Sequence, residues 1–193
     1  MTYGFGSGVA FIKSDDGIYD ASFQSYPRVL QHFTGLPTLN FGFPGATSDM
    51  IVYMYTGLGE LDYSYLIRPM NNDLLQYSIP GENDVLIIEM GSNGGWDDDY
   101  ETLIDQYLTM LEFTNCEQYL ILGDTDDPGT SFADTWQDPL PYGATDEETM
   151  WEEALHEAFG EHFVNLRLYL VEHGLEVAGL EATPEDEEAA QTG

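Results

Sequence analysis

Positive charge is nearly missing from this 193-residue chain. Four Lys and Arg stand against 36 Asp and Glu, a formal net charge of −32. Cation contacts supply most of the sequence-independent affinity for phosphate backbones and anionic bilayers, so nucleic acid and membrane surfaces are excluded as expected partners. Cysteine is almost as scarce. The lone Cys116 cannot close an internal disulfide. No apolar run approaches the roughly 20 residues that a membrane span needs. The N-terminus, Met1-Thr2-Tyr3-Gly4-Phe5-Gly6-Ser7-Gly8, has neither the basic start nor the apolar stretch of a secretion signal. As it stands the chain reads as cytoplasmic, with secretion open only if its true start lies upstream. What it does have is apolar matter: 42 % hydrophobic and 13 % aromatic residues, enough for a core despite the charge. A single domain follows from the length, with no internal repeat and no linker.

Short apolar runs rich in β-branched and aromatic residues alternate with longer amphipathic segments. The runs are Val9 to Ile12, Thr38 to Phe41, Val85 to Met90, Tyr119 to Leu122 and Phe163 to Leu166. Between them the 3.6-residue pattern predicts helices over Phe23 to Phe33, Ser48 to Tyr55, Tyr100 to Phe113, Thr145 to Gly160 and Leu168 to His173. In the first, Tyr26, Val29, Leu30 and Phe33 share the inner face; in the third, Leu103, Ile104, Tyr107, Leu108 and Leu111 do. Thr145 with Glu148 gives the fourth a capping-box signature, and Gly35, Gly160 and Gly174 mark helix ends. Strand and helix alternating in this way imply a three-layer α/β/α fold on a five-stranded parallel sheet, because right-handed crossovers return each strand beside another. The stretches from Gly57 to Pro80 and from Gly123 to Ala144 are long connections and candidate substrate walls. The tail, 181–193, begins a helix at Thr183-Pro184 and stops after about two turns.

In open parallel sheets, ligands bind beyond the carboxyl ends of the strands, so the turns after them carry the chemistry. They deliver Ser14 in Lys13-Ser14-Asp15-Asp16-Gly17, the glycine-rich Gly42-Phe43-Pro44-Gly45-Ala46-Thr47, and Asn93 in Gly91-Ser92-Asn93-Gly94-Gly95-Trp96. A hydroxyl nucleophile with backbone N–H groups and an amide to hold an oxyanion is the set acyl transfer needs. Each element also has an ordinary reading: glycines turn chains, and a serine after a strand caps a helix.

Asn40-Phe41-Gly42-Phe43-Pro44-Gly45-Ala46-Thr47 and Val85 to Trp96 resemble the second and third blocks of the SGNH (GDSL-type) hydrolases. The segments Ala158 to Leu170 and Gly179-Leu180 with Thr183 to Asp186 are similar to later parts of the same family. The resemblance implies a flavodoxin-like sheet and an esterase of small acyl groups, carbohydrate O-acetyl esters among them, with no metal and no cofactor. Ser14 would be the nucleophile, with Ser7 in Gly6-Ser7-Gly8 its rival. Gly45 and Asn93 would form the oxyanion hole, and Trp96 and Trp136 would stack on a sugar. Two departures stand out: the family's Gly-Asp-Ser is replaced by Ile12-Lys13-Ser14, and no Asp-x-x-His occurs. Without that base a serine is a poor nucleophile, so the chain reads as C-terminally truncated and feeble in turnover.

Other constellations carry less. Glu153 and His156 share a helix face as a solvated pair; His32 and His173 belong to helix ends, and His162 to a strand entry. Asp124-Thr125-Asp126-Asp127-Pro128-Gly129 starts like a calcium loop, but its twelfth position is Thr135. Asp97, Asp98 and Asp99 precede the third helix as caps. A non-catalytic SGNH-like domain that binds a glycan or a protein is the alternative function. A nucleotide or flavin module is disfavoured by the charge and by the absence of a phosphate-binding glycine pattern after the first strand.

The charge balance yields a prediction. Self-repulsion opposes compaction when it is unscreened, and the Debye length shrinks from about 30 Å at 0.01 M salt to about 3 Å at 1 M. The melting temperature should therefore climb with NaCl across that range; a flat or falling trend in a thermal scan would contradict it.

Overall fold

The computed structural model describes residues 2–5, 11–14, 17–20, 26–42, 45–58, 80–81, 83–114, 116–123 and 148–187. It divides into two compact units, Met1–Leu120 and Ile121–Gly193.

The first unit is built on three parallel strands. β1 (Thr2–Phe5) lies between β4 (Thr38–Asn40) and β5 (Val85–Ile88), with Thr2 level with both Thr38 and Val85. The first strand is thus central and the chain winds outward from it on both sides, which makes the carboxyl edge shared by the three strands a topological switch point. β5 is an unbroken apolar run, Val85-Leu86-Ile87-Ile88, whose last three residues are buried. That is expected of a parallel strand covered on both faces.

The predicted first strand is corrected. Val9 to Ile12 is not the sheet strand: Phe11–Ser14 (β2) pairs antiparallel with Gly17–Asp20 (β3), the register Ser14↔Gly17 flanking Asp15-Asp16. Asp-Asp-Gly is turn chemistry, and a short turn favours a hairpin over a crossover. The true sheet strand, Thr2-Tyr3-Gly4-Phe5, is broken by a glycine, which is depleted in strands and hides the pattern.

Among the described residues, three helices belong to this unit. α1 (Tyr26–Thr34) buries only Pro27, so the stripe expected to face inward is largely solvated, with Phe33 81 % exposed. α2 (Ser48–Thr56) buries Ile51, Val52 and Tyr55 and ends at Gly57, whose φ of 71° lets its N–H reach back to the Tyr53 carbonyl. α3 (Tyr100–Thr114) buries Leu103, Tyr107, Met110 and Thr114, spaced four, three and four apart as one helical face requires. Leu108, assigned to the inner stripe from the sequence, is instead exposed. α2 meets α3 where Tyr55 and Phe113 pack edge to face, ring centres 5.7 Å apart. Asp99 caps α3: it accepts from the Thr102 hydroxyl at 2.6 Å and from the Glu101 and Thr102 amides. The Thr102 hydroxyl chiefly holds its carboxyl below the usual range.

The second unit begins within β6 (Tyr119–Leu122), whose last two residues pair in parallel with β7 (Phe163–Val164), Ile121 opposite Phe163. α4 (Met150–Phe159) starts at Thr149, which forms the capping box with Glu152; Thr145, the expected cap, lies outside the described residues. α5 (Leu166–Ala178) is capped by Asn165, runs through Gly174 where the sequence suggested a stop, and ends at Gly179 in the left-handed region. Gly174 keeps helical φ and leaves ordinary space at its Cβ position, so it has no reason to terminate the helix. Thr183 and Asp186 then form a reciprocal cap on residues 184–187, where the sequence predicts a helix start.

Glu152 has a second role. Its carboxylate takes two hydrogen bonds from Arg167, Nε at 2.8 Å and Nη2 at 2.6 Å, while Oε2 also accepts from the Thr149 amide. Arg167 is 2 % exposed and Glu152 is buried. A forked pair out of water is satisfied only as a pair, since either charge left alone would keep its desolvation cost without its partner. Arg167→Leu should therefore cost about 3–5 kcal/mol in denaturant unfolding. Pairing it with Glu152→Leu should recover most of the loss apart from the capping share of about 1 kcal/mol. A double variant no more stable than the single would refute this account.

Among the described residues, no helix is long and apolar enough to cross a membrane.

Candidate functional site

The chain leaves β4 at Asn40 and β5 at Ile88, on the same edge of the first unit's sheet. After β4, Asn40 Oδ1 accepts from the Gly42 amide at 2.9 Å, and Gly45 follows at φ 73° in an exposed turn. No atom lies within 4 Å of a Cβ built there, so the requirement for glycine is conformational and the space above the backbone is open. After β5, a turn closed by the Gly94 amide on the Gly91 carbonyl (2.8 Å) presents Asn93 to solvent.

These two turns meet. The Ser48 amide, at the start of α2, donates to the Gly94 carbonyl at 2.9 Å, and the Ser48 hydroxyl reaches the same oxygen at 3.2 Å. Gly95 makes the approach possible: a Cβ there would strike Asp49 Oδ1, lie 2.7 Å from Thr47 Cβ and 2.9 Å from the Ser48 nitrogen. Gln106 on α3 holds the Gly95 carbonyl at 2.7 Å, and Tyr107 donates its hydroxyl to the Met90 carbonyl at 2.7 Å. The loop is thereby pinned from α2 on one side and α3 on the other. Past it, Asp97 and Asp98 both adopt φ 55°, consecutive left-handed conformations that L side chains seldom take.

Asp49 occupies the first turn of α2, where it accepts from the Met50 amide (2.9 Å) and the Thr47 hydroxyl. The helix's positive end is thus answered by its own carboxylate. Two further titratable groups stand near this edge and were not singled out in the sequence. The Tyr26 hydroxyl is buried and has no hydrogen-bond partner among the described residues. Burial first, and Glu89 just beyond β5 second, push its pKa above the ordinary value. It stays a neutral O–H donor. Tyr26 reads as one more apolar position in the helical pattern, and nothing in that pattern flags it.

The sequence-assigned residues are distributed as follows. Gly45 and Asn93 sit on the two joined turns. Ser14 closes the β2–β3 hairpin and does not end a strand of the sheet. Ser7 and Trp136 lie outside the described residues. Trp96 is corrected: 1 % exposed, its indole N–H donates to the Gly91 carbonyl at 2.8 Å and its ring stacks on Tyr100. A buried indole braces the loop and offers no face to a sugar. His156 pairs with Glu148, Nδ1 to Oε1 at 3.0 Å, and not with Glu153 as the helix spacing suggested. Among the described residues, no group of three or more His, Cys, Asp and Glu could hold a metal ion.

Compared with models of protein families, with curated proteins and with solved structures, the chain matches none.

The joint between the turns can be probed directly. Gly95→Ala should lower stability by about 1–3 kcal/mol through forced overpacking, on top of the roughly 1–2 kcal/mol that a left-handed L residue costs at its φ of 94°. Gly94→Ala, which meets open space but has φ 79°, should cost only the roughly 1–2 kcal/mol of a left-handed L residue. Equal losses in the two variants would argue against close contact at position 95.

Proposed function

We propose that the chain is a serine hydrolase of the SGNH type, cleaving small acyl esters such as O-acetyl groups on carbohydrate. The observation that carries the reading is the union of the Gly45 and Asn93 turns at the carboxyl edge of β4 and β5, the two parallel strands that flank β1. Backbone N–H and an exposed amide held at one rim suit a developing oxyanion. The strand order β4-β1-β5 in the first unit and the parallel pair β6-β7 in the second support a flavodoxin-like five-stranded sheet.

Ser7 is the better nucleophile candidate. It follows the last residue of β1, Phe5, by two positions, as a nucleophile after the first sheet strand should. Ser14, on a hairpin, has lost that argument. The attacking hydroxyl would form the acyl-enzyme, the alcohol would leave with a proton, and water would release the acid. A second reading is favoured by the histidines. The chain has no Asp-x-x-His, His32 lies in the last turn of α1, and His156 is engaged by Glu148. A non-catalytic glycan- or protein-binding domain would use the same rim without a base.

Hydrolysis of p-nitrophenyl acetate at low and high salt tests both. Weak turnover is expected, abolished in Ser7→Ala, unchanged in Ser14→Ala and reduced about 10²-fold in Asn93→Ala. Turnover unaffected by Ser7→Ala would overturn the nucleophile. No turnover above buffer, with saturable glycan binding lost in Asn93→Ala, would favour the second reading.

A further inference from the structure

Arg28 and Arg167 are the two arginines among the described residues, and they are used in opposite ways. Arg167 is buried on Glu152. Arg28, on α1, makes no ion pair among the described residues; its one hydrogen bond is a long one to Gln31 Oε1, at 3.4 Å. In a chain with 36 carboxylates, an exposed guanidinium with no carboxylate on it is unusual.

Arg28 also borders an open hollow of about 720 Å³, lined among the described residues by Arg28, Val29, Gln31, His32, Phe33 and Gly35. That volume falls in the range of small-molecule sites, roughly 300–1,000 Å³. The lining is two-sided. Arg28, Gln31 and His32 are one helical turn apart and bring a guanidinium, an amide and an imidazole to one flank. Val29 and Phe33, also one turn apart, give an apolar flank, Val29 38 % and Phe33 81 % exposed.

We propose that this hollow binds a small monocarboxylate bearing an apolar group, its carboxylate forked on Arg28 and its tail laid along Val29 and Phe33. The planar guanidinium matches a carboxylate with two parallel N–H···O bonds, and His32 or Gln31 can supply a further N–H. A dianion fits less well. The hollow sits toward the carboxyl end of α1, where unpaired carbonyls carry partial negative charge, and it holds a single arginine. The site is separate from the joined turns and does not depend on the hydrolase reading.

The test uses the whole chain in about 1 M NaCl, where a Debye length near 3 Å screens the repulsion of an anion by the acidic surface. Sodium 3-phenylpropionate is titrated and followed by amide chemical shifts, with neutral 3-phenylpropionamide as the matched probe. The expected result is saturable binding with shifts concentrated on residues 28–35. It should weaken at least tenfold with the amide or in Arg28→Gln, and several-fold in Phe33→Ala. Arg28→Lys should fall between wild type and Arg28→Gln, having the charge without the fork. Binding of the amide as tight as the acid, an Arg28→Gln variant that binds unchanged, or shifts that never saturate would each overturn the proposal. Arg28, Val29, His32 and Phe33 are exposed and Gln31 is half-buried, and far-ultraviolet circular dichroism verifies that each variant is folded.

Discussion

The joint between the two turns at the first unit's sheet edge depends on an atom that is not there. At position 95 the β5–α3 loop runs so close to the start of α2 that a single methyl group would collide with Asp49, Thr47 and the Ser48 nitrogen. Close approach lets Ser48 give both its amide and its hydroxyl to one carbonyl, Gly94. Through that carbonyl two turns, far apart in sequence, become one surface. The rest follows from position: Trp96 fills the space beneath, Gln106 fixes the Gly95 carbonyl from α3, and Asn93 is left pointing outward at the apex. Loops that carry chemistry are useful only when a rigid scaffold holds them, and here the scaffold is helix, strand and one absent side chain.

Where cations are so scarce, the two described arginines stand out by opposite placement. Arg167 is withdrawn from solvent and forms, with Glu152 and Thr149, a knot that ties the start of α4 to the start of α5. One carboxylate serves both a cap and an ion pair, so its lone pairs are filled from two elements at once. Arg28 does the reverse and faces the solvent. Among the described residues several acidic side chains act locally at helix beginnings: Asp99 on α3, Glu152 on α4, Asp186 on the last turn described. Negative charge at an amino terminus is favourable, so part of the acidic excess is placed where helices reward it.

Much of the architecture was legible because periodicity survives in it. β5, β6 and α3 lie close to where the apolar runs put them, and Val85-Leu86-Ile87-Ile88 could hardly be anything but a covered strand. The failures have particular causes. Thr2-Tyr3-Gly4-Phe5 escapes notice although Thr, Tyr and Phe favour strands, because Gly4 interrupts a run of only four residues. Phe11–Ser14 looks like a sheet strand and is half of a hairpin, since periodicity cannot tell what a strand pairs with. The α4 cap is Thr149 and not Thr145 because two Thr-x-x-Glu signatures stand back to back there, at 145–148 and 149–152, and the second one is used. For the site, glycine and asparagine after strands were visible; the burial of Trp96, the solitude of Arg28 and the Tyr26–Glu89 proximity were not, being properties of tertiary packing alone.

The paired left-handed aspartates after Trp96 have an effect on how far α3 can reach. A right-handed helix propagates backward only through residues that accept its hand, and Asp97 and Asp98 wind the other way. They act as a stop written in chirality. In this conformation α3 does not extend back through them, and the stretch from Gly91 to Trp96 stays a loop whose backbone is engaged in holding its own shape: the Gly94 amide on the Gly91 carbonyl, the Gly94 carbonyl on Ser48 and the Gly95 carbonyl on Gln106.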